Sequence, residues 1–209
     1  PDAASCAESG TWNRLCRWVN KGTRGIALRV DRDTPYKLRH VFDYSDTNSR
    51  AGRVVTLWQM RPQYEEPVKE SLQDSFGEVE LTADFPHFIM EIAKNAVEDN
   101  FSDYLSNLQS VKGDSFLEEL DDLNLEVWLK DTLRSSVAYM ALVRAGYQPS
   151  LYFTRDDFSN IYDFNTIPVI SVLGAATSAL SEMVIRDIAE TVTGLEKEEN
   201  QRNSTFASD

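Results

Sequence analysis

Two hydrophobic periods divide the chain. Gly25-Ile26-Ala27-Leu28-Arg29-Val30 and Lys37-Leu38-Arg39-His40-Val41-Phe42-Asp43-Tyr44 alternate apolar with other residues, the period-two signature of strands with one covered face. Asp33-Thr34-Pro35 supplies the turn between them, and Arg53-Val54-Val55-Thr56-Leu57 predicts a third short strand. Ahead of the strands, residues 10–18 predict a short helix with Trp12, Leu15, Cys16 and Val19 on one face.

Farther along the period changes to 3.6. Ile89, Ile92, Ala93, Ala96, Val97, Phe101, Tyr104, Leu105 and Leu108 keep one helical face over five turns. Ser115-Phe116-Leu117-Glu118 has the spacing of a capping box. Asn124 can cap a helix carrying Leu125, Trp128, Leu129, Leu133, Val137, Met140 and Ala141, which Gly146 and Pro149 stop. Thr154-Arg155-Asp156-Asp157 starts a further short helix, and a last one spans about 166–194 with a break near Gly174. Residues 63–84 read as an acidic connector because Pro67 and Gly77 interrupt them. The predicted fold class is therefore α+β. A small β-rich part with a short helix (1–62) is followed by the connector, an all-helical part (85–195) and a disordered polar tail (196–209).

With 42% hydrophobic residues in 209, there is enough apolar material for one large core or two small ones. No apolar run reaches the roughly 18 residues of a membrane span. Pro1-Asp2-Ala3-Ala4-Ser5 shows no export signal, and two cysteines, Cys6 and Cys16, read as reduced thiols. The expected setting is cytoplasmic. The net charge of -13 argues against nucleic acid when taken as an average. Its distribution does not. Residues 1–62 hold eleven Lys/Arg against six Asp/Glu, and residues 63–209 hold ten against 28, so a basic first third precedes a strongly acidic remainder.

That asymmetry singles out Trp12, Arg14, Arg17, Trp18, Lys21 and Arg24. Indole faces stack on unpaired bases while cationic groups follow phosphates, and glycines in Lys21-Gly22-Thr23-Arg24-Gly25 would let the backbone approach a phosphate. The plainer alternative makes both tryptophans core residues and the glycines a turn. In the acidic part, Glu118, Glu119, Asp121 and Asp122 form a dense run. It is either a solvated helix face or a surface that engages a basic protein groove. Metal or nucleophile chemistry has little to start from. His40 and His87 stand far apart, and Asp43 with Asp46 fits a turn better than a cation site. The expectation is a protein without catalytic residues, metal or cofactor.

Pro1-Asp2-Ala3, Trp12, Arg17, Val19, Lys21-Gly22, Gly25-Ile26 and Phe42-Asp43-Tyr44-Ser45-Asp46-Thr47 together resemble the N-terminal domain of ArdC-type antirestriction proteins. The resemblance covers roughly residues 1–60. It implies single-stranded DNA binding in the context of conjugative transfer, with Arg17, Lys21 and Arg24 as phosphate-facing residues. The family pattern has glycine where Cys16 stands and a second lysine where Arg24 stands. A helix that precedes the motif in the family has no counterpart, so the chain is expected to start inside the domain.

Ser135-Ser136-Val137-Ala138-Tyr139 with Gly146-Tyr147 resembles a later helix of the zinc-peptidase-like region that follows in that family. The metal-binding Glu is replaced around Leu133-Arg134-Ser135, and the segment 94–100 carries no histidine. A scaffold without its zinc chemistry is what this implies. Tyr152-Phe153-Thr154-Arg155-Asp156-Asp157-Phe158 and Leu173-Gly174-Ala175-Ala176-Thr177-Ser178 are similar to segments of large proteins of integrative conjugative elements.

The leading expectation is a non-enzymatic DNA-handling module of a mobile genetic element, binding single-stranded nucleic acid through its basic first third. The alternative is an acidic inhibitor of a host defence nuclease, in the manner of antirestriction or anti-CRISPR nucleic-acid mimics.

Overall fold

A computed structural model describes residues 6–29, 38–49, 58–79 and 84–206. The chain forms two compact units, residues 1–57 and 58–209. The fold class read from the two periods holds. Among the described residues, strands occur in the first unit and the second is helical.

In the first unit β1 (Cys6–Glu8) leads into α1 (Ser9–Arg14) and then β2 (Trp18–Val19), β3 (Ile26–Arg29), β4 (Leu38–Asp43) and β5 (Thr47–Asn48). One antiparallel sheet has the order β1-β4-β3, and β2 pairs with β5 in a separate ribbon. Ile26 lies opposite Val41 and Leu28 opposite Arg39, so the alternation sets each pair on one face. The turn between β4 and β5 is a 3₁₀ helix, Tyr44–Asp46, capped by Asp43. The Asp43 carboxylate accepts from the Ser45 N–H at 2.9 Å and its hydroxyl at 2.6 Å, which is the turn role weighed for the Asp43–Asp46 pair. The helix predicted over 10–18 is shorter than its pattern. It stops at Arg14, Cys16 turns at φ 57°, Leu15 is exposed, and Val19 belongs to β2. The predicted turn at 33–35 and strand at 53–57 lie outside the described residues.

The second unit contains α2 (Glu65–Phe76), α3 (Phe85–Val111), α4 (Asp122–Ala145) and α5 (Ile167–Phe206). The last three pack pairwise, and α2 packs on α3 and α5. The predicted connector is thus corrected to a core helix. Pro67 sits in the first turn, where an absent N–H loses no intrahelical bond. Glu65 and Glu66 favour the positive helix start. Val68, Leu72 and Phe76 are buried, and Gly77 at φ 86° ends the helix.

Two caps also differ from expectation. No helix starts at Ser115; Glu118 accepts from the Asp114 N–H within a run of turns. The cap of α4 is Asp121, which accepts from the Asn124 N–H at 2.8 Å, while Gly146 at φ 87° closes the helix as expected. The Asn124 N–H holds the Asp121 carboxyl below the usual carboxylate range. Asp157 accepts from the N–H and the hydroxyl of Thr154 and opens a 3₁₀ helix, Asp156–Asp163.

α5 is unbroken. Its row Val169, Leu173, Ala176, Leu180, Val184, Ile188 and Val192 is buried along both sides of Gly174, and that burial outweighs the weak propensity of a single glycine. Over 167–203 it is long and apolar enough to cross a membrane by length and composition. The sequence run misses this because helical serines and threonines dilute it. That buried row is part of the core of the helical unit. Nor does α5 stop near 194 or give way to a disordered tail at 196. Glu196 accepts from the Gln59 N–H, and Glu199 accepts from the Tyr64 hydroxyl at 2.8 Å and pairs with Arg61. Those bonds, with Arg144 at 3.8 Å over the Trp58 ring, move the unit boundary from 62 to 57/58.

Leu72→Ala is expected to lower stability by about 2–5 kcal/mol, the cost of a cavity in a packed core. Urea unfolding followed by helix content measures it. A change below about 0.5 kcal/mol would restore the connector reading.

Candidate nucleic-acid interface

Trp12 and Arg17 are not surface residues. Trp12 is 2% exposed, and its indole N–H donates to the Phe42 carbonyl at 2.9 Å. Its ring meets Tyr44 edge-on at 6.1 Å between centroids. Arg17, 7% exposed, lies with its guanidinium carbon 3.9 Å from the Tyr44 ring centroid. Its Nε donates to the Thr47 hydroxyl at 2.7 Å and one terminal nitrogen to the Thr47 carbonyl at 2.9 Å. The other terminal nitrogen donates to the Tyr44 hydroxyl at 3.2 Å. The Thr47 hydroxyl in turn donates to the Tyr44 carbonyl at 2.7 Å. A guanidinium committed to these acceptors cannot track a phosphate, so both residues are corrected from interface to core.

Trp18 is a different case. It opens β2 directly after the buried Arg17, and 46% of it is exposed. It pairs across the ribbon with Asn48, while Val19 pairs with Thr47. Trp18, Val19, Asn20, Lys21, Asn48 and Ser49 line a cleft of about 520 Å³, within the usual range of small-ligand pockets. The Asn20 N–H donates to the Asp46 carbonyl at 2.8 Å, and the Thr23 N–H to the Asn20 carbonyl at 3.2 Å. Gly22 at φ 91° makes this turn and holds Lys21 at the cleft edge. Gly25 has a packing role, since a Cβ there would lie 2.9 Å from the Phe42 ring. Arg14, Lys21 and Arg24 are exposed; Arg14 donates to the Thr11 hydroxyl at 3.1 Å. Of the six residues singled out, the structure brings Trp18 and Lys21 to one cleft and leaves Arg14 and Arg24 as outlying cations. Asn20 and Asn48 escape a reading of the sequence, because their side chains show no periodic signal. Only their place beside an alternating Trp18 marks them.

The acidic run has local partners. Glu118 and Asp121 serve the backbone as described, and Asp122 accepts from the Gln109 amide at 3.1 Å. All four carboxylate residues are exposed.

The two segments that the zinc-peptidase resemblance singles out face each other. Glu98 of α3 pairs with Arg134 of α4 and with Lys130 at 2.8 Å. Lys130 lies 3.8 Å over the Phe101 ring, and its bond holds the Glu98 carboxyl below the usual carboxylate range. An ion-pair network thus joins the helices at that position. Among the described residues no group of three or more His, Cys, Asp or Glu could hold a metal ion.

No protein-family model, curated protein or solved structure matches the chain.

Two changes test the first unit. Arg17→Lys keeps the charge but loses the planar fork, and is expected to lower stability by about 1.5–3 kcal/mol. Full stability in that variant would return Arg17 to the list of surface cations. Cys16→Gly relieves a left-handed residue and is expected to raise stability by about 0.5–1 kcal/mol. Tryptophan fluorescence during urea unfolding reads both, and a destabilised glycine variant would contradict the backbone assignment.

Proposed function

We propose that the first unit binds single-stranded nucleic acid in the cytoplasm, as a non-enzymatic DNA-handling module of a mobile genetic element. One observation carries the binding: a half-exposed indole, Trp18, lies beside Lys21 in a cleft of a unit with excess positive charge. Residues 1–57 hold ten Lys/Arg against six Asp/Glu, while the other 152 residues hold eleven against 28. A base needs a flat apolar face and its phosphate a nearby cation, and the cleft offers both. A duplex hides its base faces, so the same cleft disfavours double strands. The resemblance of residues 1–60 to ArdC-type domains supports this reading and supplies the mobile-element setting. Cys16 adds to that support, since its left-handed backbone stands where the family pattern has glycine. Two exposed free thiols, Cys6 and Cys16, are compatible with a reducing compartment.

The test is a titration of the full chain against a fluorescent single strand of about 20–30 nucleotides, over a range of salt and with a duplex control. Trp18→Ala is expected to weaken single-strand binding by about 1–3 kcal/mol, roughly 5- to 150-fold. Lys21→Ala is expected to flatten the salt dependence by about 0.7 of a logarithmic unit for each phosphate that is no longer neutralised. Equal binding by the wild type and the tryptophan variant would remove the cleft from the interface.

A further inference from the structure

Resting on the single-strand reading of the Trp18 cleft, we infer that the cleft discriminates between bases, taking keto bases (thymine, uracil, guanine) over amino bases (cytosine, adenine), with Asn48 as the discriminating residue. The register of the ribbon sets the geometry. Trp18 and Asn48 are direct partners in an antiparallel pair, so their side chains leave the same face about one strand spacing apart. A base stacked on the indole therefore presents its edge to the neighbouring strand, where Asn48 stands.

The chemistry of that edge follows from a local bond. The Ser49 N–H donates to Asn48 Oδ1 at 3.0 Å. A backbone N–H can only give a proton, so the oxygen of the amide must face it. This occupies one lone pair of Oδ1 and fixes the amide with its oxygen toward the local backbone, so that the two Nδ2 hydrogens are the group it turns to a ligand. Lys21, on the same cleft, is also a donor only. A base edge facing two donors must accept. Thymine and uracil present O4, and guanine presents O6 with N7. Cytosine and adenine put an amino group, itself a donor, at the corresponding position. Donor against donor leaves both unpaired in a partly desolvated cleft, a penalty larger than the value of the bond itself.

Thymine and cytosine oligomers make the sharpest comparison. Both are pyrimidines; in thymine O4 replaces N4–H₂ and the ring nitrogen beside it becomes a donor where cytosine has an acceptor. Because thymine also adds a 5-methyl group, a deoxyuridine oligomer serves as the methyl-free control. Wild-type protein is expected to bind a fluorescent 20-nucleotide thymidine oligomer about tenfold more tightly than the cytidine oligomer at neutral pH, the discrimination a single good base-edge contact supplies. Asn48→Asp keeps an acceptor for the Ser49 N–H and replaces the donor pair by a second acceptor. Its added charge weakens both oligomers alike, so the ratio isolates the edge. That ratio is expected to fall to one or to invert in favour of cytosine. Hypoxanthine against adenine in an otherwise thymidine-free strand repeats the test from the ligand side with unmodified protein, and a preference for hypoxanthine is expected. Equal binding of thymidine and cytidine oligomers by the wild type, or an unchanged ratio in a folded Asn48→Asp variant, overturns the assignment of Asn48 while single-strand binding stands. Failure to bind any single strand at low salt overturns the underlying reading instead.

Discussion

A guanidinium is costly to take out of water unless its donors find acceptors, and Arg17 meets that condition through one residue above all. Thr47 receives two of its bonds, one at the hydroxyl and one at the carbonyl, while Tyr44 takes a third and offers its ring face. Removing an acceptor would leave part of a buried charged group unsatisfied, which is costly. The geometric consequence of the arrangement reaches beyond the core. Arg17 leads directly into β2 at Trp18, and in β5 Thr47 and Asn48 are neighbours that point to opposite faces. The bonds from Arg17 to Thr47 thus tie the start of β2 to β5 at the place where Trp18 pairs with Asn48. The exposed pair owes its register to the buried one.

The second unit rests on a more distributed constraint. The buried row of α5 runs from Val169 to Val192, and α2, α3 and α4 each pack against that helix. Polar anchors then set where the surrounding segments end. Asp187 accepts from Ser71 and Ser75 of α2, with the Ser71 bond at 2.6 Å. Glu199 accepts from Tyr64, and Glu65 accepts from the Tyr147 hydroxyl at 2.7 Å. Burial, followed by the Glu65 bond, pushes the Tyr147 phenol above its ordinary pKa, so at neutral pH it remains a donor. Apolar area supplies the driving force, while these few bonds select which turns of each helix meet.

Much of this was legible in the chain. Period 3.6 from Ile89 to Leu108 follows from one covered face, and that face is buried; period two over 26–29 and 38–43 marks strands correctly, but Ile26, Leu28 and Leu38 of their alternating rows are exposed. The misreadings share a cause, in that each concerned a residue whose local preference was overruled by something distant. Pro67 reads as a breaker until its place in a first turn is known. Gly174 reads as a break until the buried row on either side is seen. The glutamates after 195 read as a solvated tail because their donors at Gln59, Arg61 and Tyr64 lie more than a hundred residues away. At the candidate site the difficulty is subtler. Trp12, Arg17 and Trp18 are equally good stacking or phosphate residues by type. Only the end of α1 at Arg14 and the strand that starts at Trp18 decide which of them faces inward. The residue types named the chemistry, and the fold distributed it between core and surface.

The charge balance can be weighed in the same physical way. A chain of net -13 is a poor candidate for attraction to a polyanion at long range. At physiological salt, however, exposed charges farther apart than about 8 Å are largely screened from one another. What a strand feels on contact is the local set, and that set is small. Among the first-unit cations with described side chains, Arg17 is buried and Arg39 is paired with Glu8, which leaves Arg14, Lys21 and Arg24 exposed. Among the described residues, then, three exposed cations stand ready to release counterions, and short-range contacts at the cleft add to whatever attraction they supply. Stacking on Trp18 and a hydrogen-bonded base edge are contacts of that kind, and both demand an unpaired base within reach of the indole. An overall acidic charge is therefore no bar to the proposed single-strand binding, since contacts of this short range are set by the local groups and not by the net charge.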